Sequence, residues 1–308
     1  MINYVYFGSS RLSVLVLDEL LKLGQKPALI VTTPDKPQGR KLEIKPNVVK
    51  EWAVANAIPV ISPAKLDASF IEDIKKYPTD LFVVASYGKI MPNDVIELPA
   101  HKTLNIHPSL LPEYRGASPL PTSILNDTKK TGVSIMQLDA EMDHGPIVAQ
   151  KAIDVSKQTS FEPHGEWPTY LDFEEMMARE GARLLVEMLP KWVNGEIEAV
   201  EQDHSKATYT KKLDKSEADL KLTPTELSEL TNANAAKIPR DRAYKIFRTI
   251  QAFQGWMNAY FFIDRAGAQI RVKVTDASFE NGKLSIKKVI PEGKKEMTFA
   301  DFVLGYIK

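Results

Sequence analysis

At 308 residues the chain is about twice the ~150-residue size of a typical domain, so one large or two moderate domains are expected. Its 44% hydrophobic and 26% charged residues, with 20 Pro and 15 Gly, exclude disordered, collagen-like and low-complexity classes, and the lack of any Cys excludes disulfide frameworks, thiol nucleophiles and cysteine metal sites. Lys and Arg match Asp and Glu at 40 each, yet residues 1–208 carry 22 basic against 28 acidic and residues 209–308 carry 18 against 12, so a stretch of net −6 precedes one of +6. A basic C-terminal region suits a polyanionic partner. The opening Met1–Phe7 lacks a basic region followed by an apolar one, and no later run approaches the ~18 apolar residues of a membrane helix, so a soluble, cytoplasmic protein is expected, with no membrane partner.

Along the first 150 residues, brief apolar runs alternate with amphipathic stretches. Tyr4 to Phe7, Ala28 to Thr32, Pro59 to Ile61 and Leu81 to Ala85 predict buried strands, and Leu12 to Leu23 and Val48 to Ala57 predict helices. Such alternation implies a doubly wound, mostly parallel α/β sheet, which binds ligands beyond the carboxyl ends of its strands. Leu104 to His107 and Val133 to Leu138 predict two further strands, and Ile147 to Ile153 another apolar run. A long helix from Tyr170 to Leu189 is expected to close at Pro190. Asn194 to Thr225 is polar and aperiodic, as a linker is. A helix from Arg240 to Phe253 then leads into short strands at Ala259 to Asp264, Ile270 to Asp276 and Lys283 to Ile290, the pattern of a small antiparallel sheet or barrel.

The densest chemical cluster is Asn105-Ile106-His107-Pro108-Ser109-Leu110-Leu111-Pro112, followed later by Asp143 and His144. Positions two apart share a strand face, so Asn105 and His107 project together at the end of the fifth predicted strand, where Pro108 forces the chain out. A carboxamide and an imidazole side by side both donate to a developing oxyanion, and Asp143 fixes the imidazole tautomer or takes a proton. That set suits attack of an amine on an activated carbonyl without a covalent intermediate. No Walker loop or Gly-x-Ser-x-Gly elbow occurs, and the His and Asp spacings give too thin a ligand set for a metal, so none is expected. The loop from Thr33 to Pro46 holds three prolines, and from Asp35 to Lys50 five basic side chains face two acidic ones, which suits phosphate contacts.

The Asn105 to Pro112 block with Asp143 resembles the folate-dependent formyltransferases. The likeness extends through Pro34-Asp35-Lys36-Pro37-x-Gly39-Arg40, Ser86 to Pro92, and Tyr114-Arg115-Gly116-Ala117-Ser118-Pro119. Pro291 to Met297 resembles a block that the smaller members lack, and it points to the branch that formylates methionine on initiator tRNA. The resemblance implies a catalytic domain at 1–190, a linker at 191–208 and an OB-like tRNA-binding barrel at 209–308. It implies 10-formyltetrahydrofolate as co-substrate, tetrahydrofolate as product and initiator methionyl-tRNA as partner, in translation initiation. Catalysis falls to Asn105, His107 and Asp143. Folate falls to Ser109, Leu110, Leu111 and Pro112 with Tyr87, Gly88, Ile90 and Met91, and the tRNA acceptor end to Lys36, Arg40 and Lys41. The alternatives are a nucleotide-linked amino sugar as acceptor, or a silent folate- or RNA-binding relative. The chain departs from the family at Gly8-Ser9-Ser10 where Gly-Thr-Pro is usual, at His144 where Thr is usual, across Phe161 to Trp167, and at Gln254-Gly255-Trp256-Met257 in place of Asn-Pro-Trp-Pro.

Overall fold

The computed structural model describes residues 2–38, 42–155, 167–231, 238–265 and 267–307. In chain order the elements are β1 (Tyr4–Phe7), α1 (Arg11–Lys22), β2 (Leu29–Val31), β3 (Lys36–Gln38), β4 (Glu43–Lys45), α2 (Val48–Ala55), β5 (Val60–Ile61), α3 (Ala68–Ile74), β6 (Leu81–Val84), α4 (Asn93–Ile96) and β7 (Thr103–His107). Then follow β8 (Arg115–Gly116), α5 (Pro119–Leu125), β9 (Lys130–Gln137), β10 (Ile147–Asp154), α6 (Tyr170–Val193), β11 (Tyr209–Thr210), α7 (Pro224–Thr231) and α8 (Arg240–Phe253). The chain ends in β12 (Tyr260–Arg265), β13 (Ala268–Glu280), β14 (Lys283–Pro291), β15 (Met297–Thr298) and α9 (Phe299–Tyr306).

These elements fall into two compact units, and neither is a continuous stretch. The first takes Met1–Gly116, Gly132–Ile153 and Glu174–Tyr209; the second takes Ala117–Thr131, Asp154–Phe173 and Thr210–Lys308. The break at Tyr209 adjoins the one expected after residue 208, but the second unit also draws on two earlier segments, and residues 191–208 belong to the first. Val200 pairs with Ile147 in an antiparallel bridge, which ties that stretch to β10.

A seven-stranded sheet in the order β10-β9-β7-β6-β1-β2-β5 organises the first unit. β5, β2, β1, β6 and β7 run parallel, and β9 is antiparallel to β7. The chain winds outwards from β1 to β5, then returns to the other side of β1 through β6, so the order reverses between β1 and β6. Ligands enter such sheets at this reversal. All four residues of β1 and of β6 are buried, as strands covered on both faces must be. Phe7 packs against Phe70, Phe82 and Tyr87. Behind β7, α6 lies close because Gly181 has no side chain: a Cβ there would stand 2.5 Å from Ile106 Cγ2. The helix runs on to Val193 instead of ending at Pro190. So near its end a proline removes a single ladder bond, and Trp192 Nε1 anchors the last turn on the His101 carbonyl at 2.9 Å.

In the second unit β12, β13, β14 and β15 form an antiparallel sheet in that order, and among the described residues no pairing joins β12 to β15. The register between β13 and β14 shifts around Asp276, a bulge that bends the long strand. α8 buries Ala243, Ile246, Phe247 and Ile250, and packs against α5 and β13. Asp127 ties the early and late segments together, accepting from Trp167 Nε1 at 2.6 Å and from the Tyr244 hydroxyl at 2.8 Å.

Candidate active site

The reversal between β1 and β6 is closed by serines. Ser10 caps α1, and Ser9 Oγ donates to the Tyr87 carbonyl at 2.6 Å while Ser13 Oγ donates to the Ala85 carbonyl at 2.6 Å. Gly8-Ser9-Ser10 is thus a turn sewn to the loop after β6. Gly8 takes no side chain, since a Cβ would meet that of Ser13 at 2.6 Å.

Asn105 and His107 lie on one face of β7, at 7% and 4% exposure, just before Pro108 ends the strand. His107 Nε2 donates to the Tyr114 carbonyl at 3.0 Å, because a carbonyl can only accept. Its other nitrogen, Nδ1, faces Asp143 Oδ1 at 3.5 Å. Asp143 Oδ2 accepts the Gly116 N–H at 2.7 Å. Both Asp143 and Tyr114 hold left-handed backbone, φ 51° and 57°. Among the described residues the Asn105 carboxamide has no hydrogen-bond partner, and its polar atoms keep some access to solvent. A polar group left unpaired and reachable from solvent is open to a ligand.

The loop after β7 is rigid. Ser109 is fully buried and its hydroxyl is spent on the Glu113 carbonyl at 2.6 Å. Ser134 Oγ donates to the Ser109 carbonyl at 2.7 Å and accepts the Leu111 N–H at 3.1 Å, and Gln150 Nε2 donates to the Leu111 carbonyl at 2.9 Å. The Leu111–Pro112 peptide is cis. Leu110 and Pro112 are half-buried, and Leu111 is buried. The structure therefore turns the Ser109 hydroxyl inwards, sets Leu110 against Gly132 and leaves Leu110 and Pro112 partly open.

The loop after β6 divides. Gly88 is exposed, with φ 74°, and Ile90 is 92% exposed, while Tyr87 and Met91 sink into the apolar core beside Val84 and Val95. The resemblance assigns all four of Tyr87, Gly88, Ile90 and Met91 to folate, and a motif does not tell which side chains of an irregular loop turn into the core. Among the described residues the buried Tyr87 hydroxyl has no partner, and burial pushes its phenol up to about 12. Lys89 reaches across to the Pro63 and Ala64 carbonyls, both at 3.0 Å. Burial, and then the charge of Lys36, hold its ammonium below the ordinary lysine value. Lys36 sits exposed on β3, which pairs with β4, so the basic loop is a hairpin. Arg40, Lys41 and His164 lie outside the described residues.

The sequence profile of the formyl transferase family matches residues 2–165, over half of the chain. The chain belongs to the formyl transferase family. Among relatives, the methionyl-tRNA formyltransferase of Dictyoglomus thermophilum is 36% identical, covering 98% of this chain and 96% of that protein. The methionyl-tRNA formyltransferase of Thermotoga maritima is 33% identical over 96% of this chain and 92% of its own. Among solved structures, a methionyl-tRNA formyltransferase from Clostridium thermocellum superposes with a TM-score of 0.58 at 16% identity, covering 94% of this chain and 99% of that one. An N-formyltransferase from Helicobacter canadensis, in complex with folinic acid and dTDP-3-aminofucose, gives 0.56 at 19% identity, covering 91% and 89%. At these identities the two structures speak to the fold alone, over most of the chain. Sequence reasoning on this formyl transferase missed Ser134, Gln150, the Tyr114 carbonyl and the Gly116 N–H. The nearest signal was the Tyr114-Arg115-Gly116 block, whose backbone meets His107 and Asp143.

Proposed function

We propose that this formyl transferase moves a formyl group from 10-formyltetrahydrofolate to the α-amine of methionine on initiator tRNA, as a cytoplasmic enzyme of translation initiation. The observation that carries the reading is the unpartnered Asn105 carboxamide on β7 beside the His107–Asp143 pair, in a chain whose near full-length relatives are named methionyl-tRNA formyltransferases. The residues fit a reduced folate: the Asn105 carboxamide is free to donate, the backbone around Gly88 is open, and Leu110, Pro112 and Ile90 give apolar cover at the mouth. When bound, the folate supplies an activated formyl carbon.

What the chain does follows from its donors. As the amine adds, charge gathers on the formyl oxygen, and Asn105 Nδ2 offers it a hydrogen bond without reorganisation. The Nε2 proton of His107, held in the free protein by the Tyr114 carbonyl, is a second donor. Asp143, facing Nδ1, balances positive charge on the imidazole; it takes up the proton lost by the amine, directly or through water, and that proton passes to the folate nitrogen as its bond to the formyl carbon breaks and tetrahydrofolate leaves. Lys36, Arg40 and Lys41 meet the acceptor end of the tRNA, and the +6 region after residue 208 meets its phosphates. The test is incubation with 10-formyltetrahydrofolate and either methionyl-tRNA or nucleotide-linked amino sugars. Formyl-methionyl-tRNA is expected; formylation of an amino sugar alone, or of neither, overturns the reading.

A further inference from the structure

Gln202 stands in the stretch after α6 that looks like linker in sequence, yet it is only 5% exposed. Its Oε1 accepts Arg115 Nε at 3.1 Å and Arg115 Nη2 at 2.7 Å. Its Nε2 donates to the Asp143 carbonyl at 3.0 Å and to the Gly145 carbonyl at 2.7 Å. A carboxamide has two donor hydrogens and two acceptor lone pairs, so this one is saturated. Turned over, it would set its NH2 against the guanidinium and its oxygen against two carbonyls. The network therefore dictates its orientation.

Arg115 is as buried as Gln202. Beyond Gln202 it donates from Nη1 to the Tyr209 hydroxyl at 3.2 Å and from Nη2 to His204 Nδ1 at 2.9 Å. The His204 ring stacks on His144, centroids 4.1 Å apart, and His144 Nδ1 lies 2.8 Å from Asp139 Oδ2. Arg115 and Gly116 thus reach Asp143 by two routes: the Gly116 N–H holds the carboxylate, and the Arg115 side chain holds Gln202, which holds the backbone.

The turn so gripped is not one that chain favours unaided. Asp143 has left-handed φ, a region that aspartate tolerates better than most residues but still visits seldom. Gly145 presses against the end of β9, where a Cβ would lie 2.1 Å from the Gln137 carbonyl oxygen. Gln202 bonds the carbonyls on both sides of His144 and so fixes the direction in which Asp143 leaves the turn.

We propose that Gln202 is a positioning residue for formyl transfer, keeping the Asp143 carboxylate opposite His107 Nδ1, with Arg115 setting the orientation of Gln202. Gln202 touches no reacting atom. The inference rests on the roles given to Asp143 and His107 under the proposed function.

The test uses the full-length protein, 10-formyltetrahydrofolate and methionyl-tRNA. Gln202→Glu keeps oxygen acceptors for Arg115 and removes the donor to both carbonyls. The single-turnover rate is expected to fall by up to about 10²-fold, since misplacing a catalytic group by ~1 Å costs that much. KM for both substrates should stay within about twofold and the circular dichroism spectrum should stay native. In an Asp143→Ala background the same substitution should cost nothing further, because it acts through the missing carboxylate. A wild-type rate for Gln202→Glu, or losses that add in the double variant, overturns the proposal. A wild-type rate for Asp143→Ala alone overturns instead the reading of the site. Should Gln202→Glu fail to fold, Gln202→Asn, with both polar groups on a shorter arm, enters the same cycle and is judged by the same two outcomes.

Discussion

Removing the Asn105 carboxamide should separate catalysis from stability. Among the described residues that group has no hydrogen-bond partner, so Asn105→Ala orphans no donor or acceptor, and the cost to folding is lost packing alone, below about 1 kcal/mol. In a unit of this size that is a shift in Tm of about 2–4 °C at most. The rate is another matter. One oxyanion donor is worth about 2.7–4 kcal/mol in the transition state, so single-turnover formylation at saturating methionyl-tRNA should slow by about 10²–10³. Folate binding should change little, because the ground-state carbonyl gains little from the donor. Asn105→Asp sharpens the test: it keeps the shape but puts an acceptor-only group against the developing charge, so it should be slower still than the alanine variant. The assay follows acid-stable formyl-methionine by chromatography, with Tm measured on the same preparations. A wild-type rate for Asn105→Ala, an aspartate variant faster than the alanine one, or a rate loss matched by unfolding would refute the oxyanion role.

Asp143→Asn keeps volume and removes the charge facing His107 Nδ1, so turnover should drop at least about tenfold with thermal stability retained; an unfolded variant would make the residue structural. Gly145→Ala drives a Cβ into the Gln137 carbonyl and should displace the Asp143 turn, seen as a lost rate with substrate binding intact; a normal rate would show that the turn has slack. In the second unit, Asp127→Ala strands Trp167 Nε1 and the Tyr244 hydroxyl and should cost about 2–4 kcal/mol in urea unfolding. Burial alone would raise the Asp127 carboxyl, but bonds from Lys129, Trp167 and Tyr244 hold it below 3.8. Its folded value is therefore depressed, so it adds stability above pH 3.8 that is lost as pH falls further, and the alanine variant should lack that acid-side slope. Lys36→Ala should flatten the salt dependence of tRNA binding by about 0.9 in log–log slope; an unchanged slope removes Lys36 from the phosphate contacts.

Much of this was legible because the patterns are local. Buried strands without alternation gave the parallel sheet, and Asn105 with His107 two positions on, stopped by Pro108, gave the paired donors on one face. What stayed hidden depended on distant partners. Gln202 bonds a residue 87 positions away, and in a polar, aperiodic segment nothing marks a glutamine as buried. The β3–β4 hairpin carries Pro37 in a strand, which sequence reasoning rejects, although a two-stranded ribbon has edges where proline loses no ladder bond. Tyr87 and Met91 belong to a block that resembles the family's folate loop, yet their side chains serve the core; of the four residues named there, the exposed Ile90 offers a ligand its side chain and Gly88 its backbone.

The interleaving of the two units bears on how the protein is made. Each unit is assembled from three stretches, so Ala117–Thr131 and Asp154–Phe173 leave the ribosome well before the residues that complete their core. The first unit has all its parts once Tyr209 has emerged, whereas the second must wait for α8 and the strands after it. Until then Trp167, fully buried in the finished protein, lacks Gln251 of α8, which donates to its carbonyl, and the Asp127 carboxylate lacks Tyr244. A nascent chain stalled there exposes an unfinished apolar surface of the kind chaperones hold. Nor does a single cut near residue 209 yield two modules. It leaves the N-terminal piece carrying two segments that belong to the other half, which makes this a fold that recombination exchanges whole or not at all.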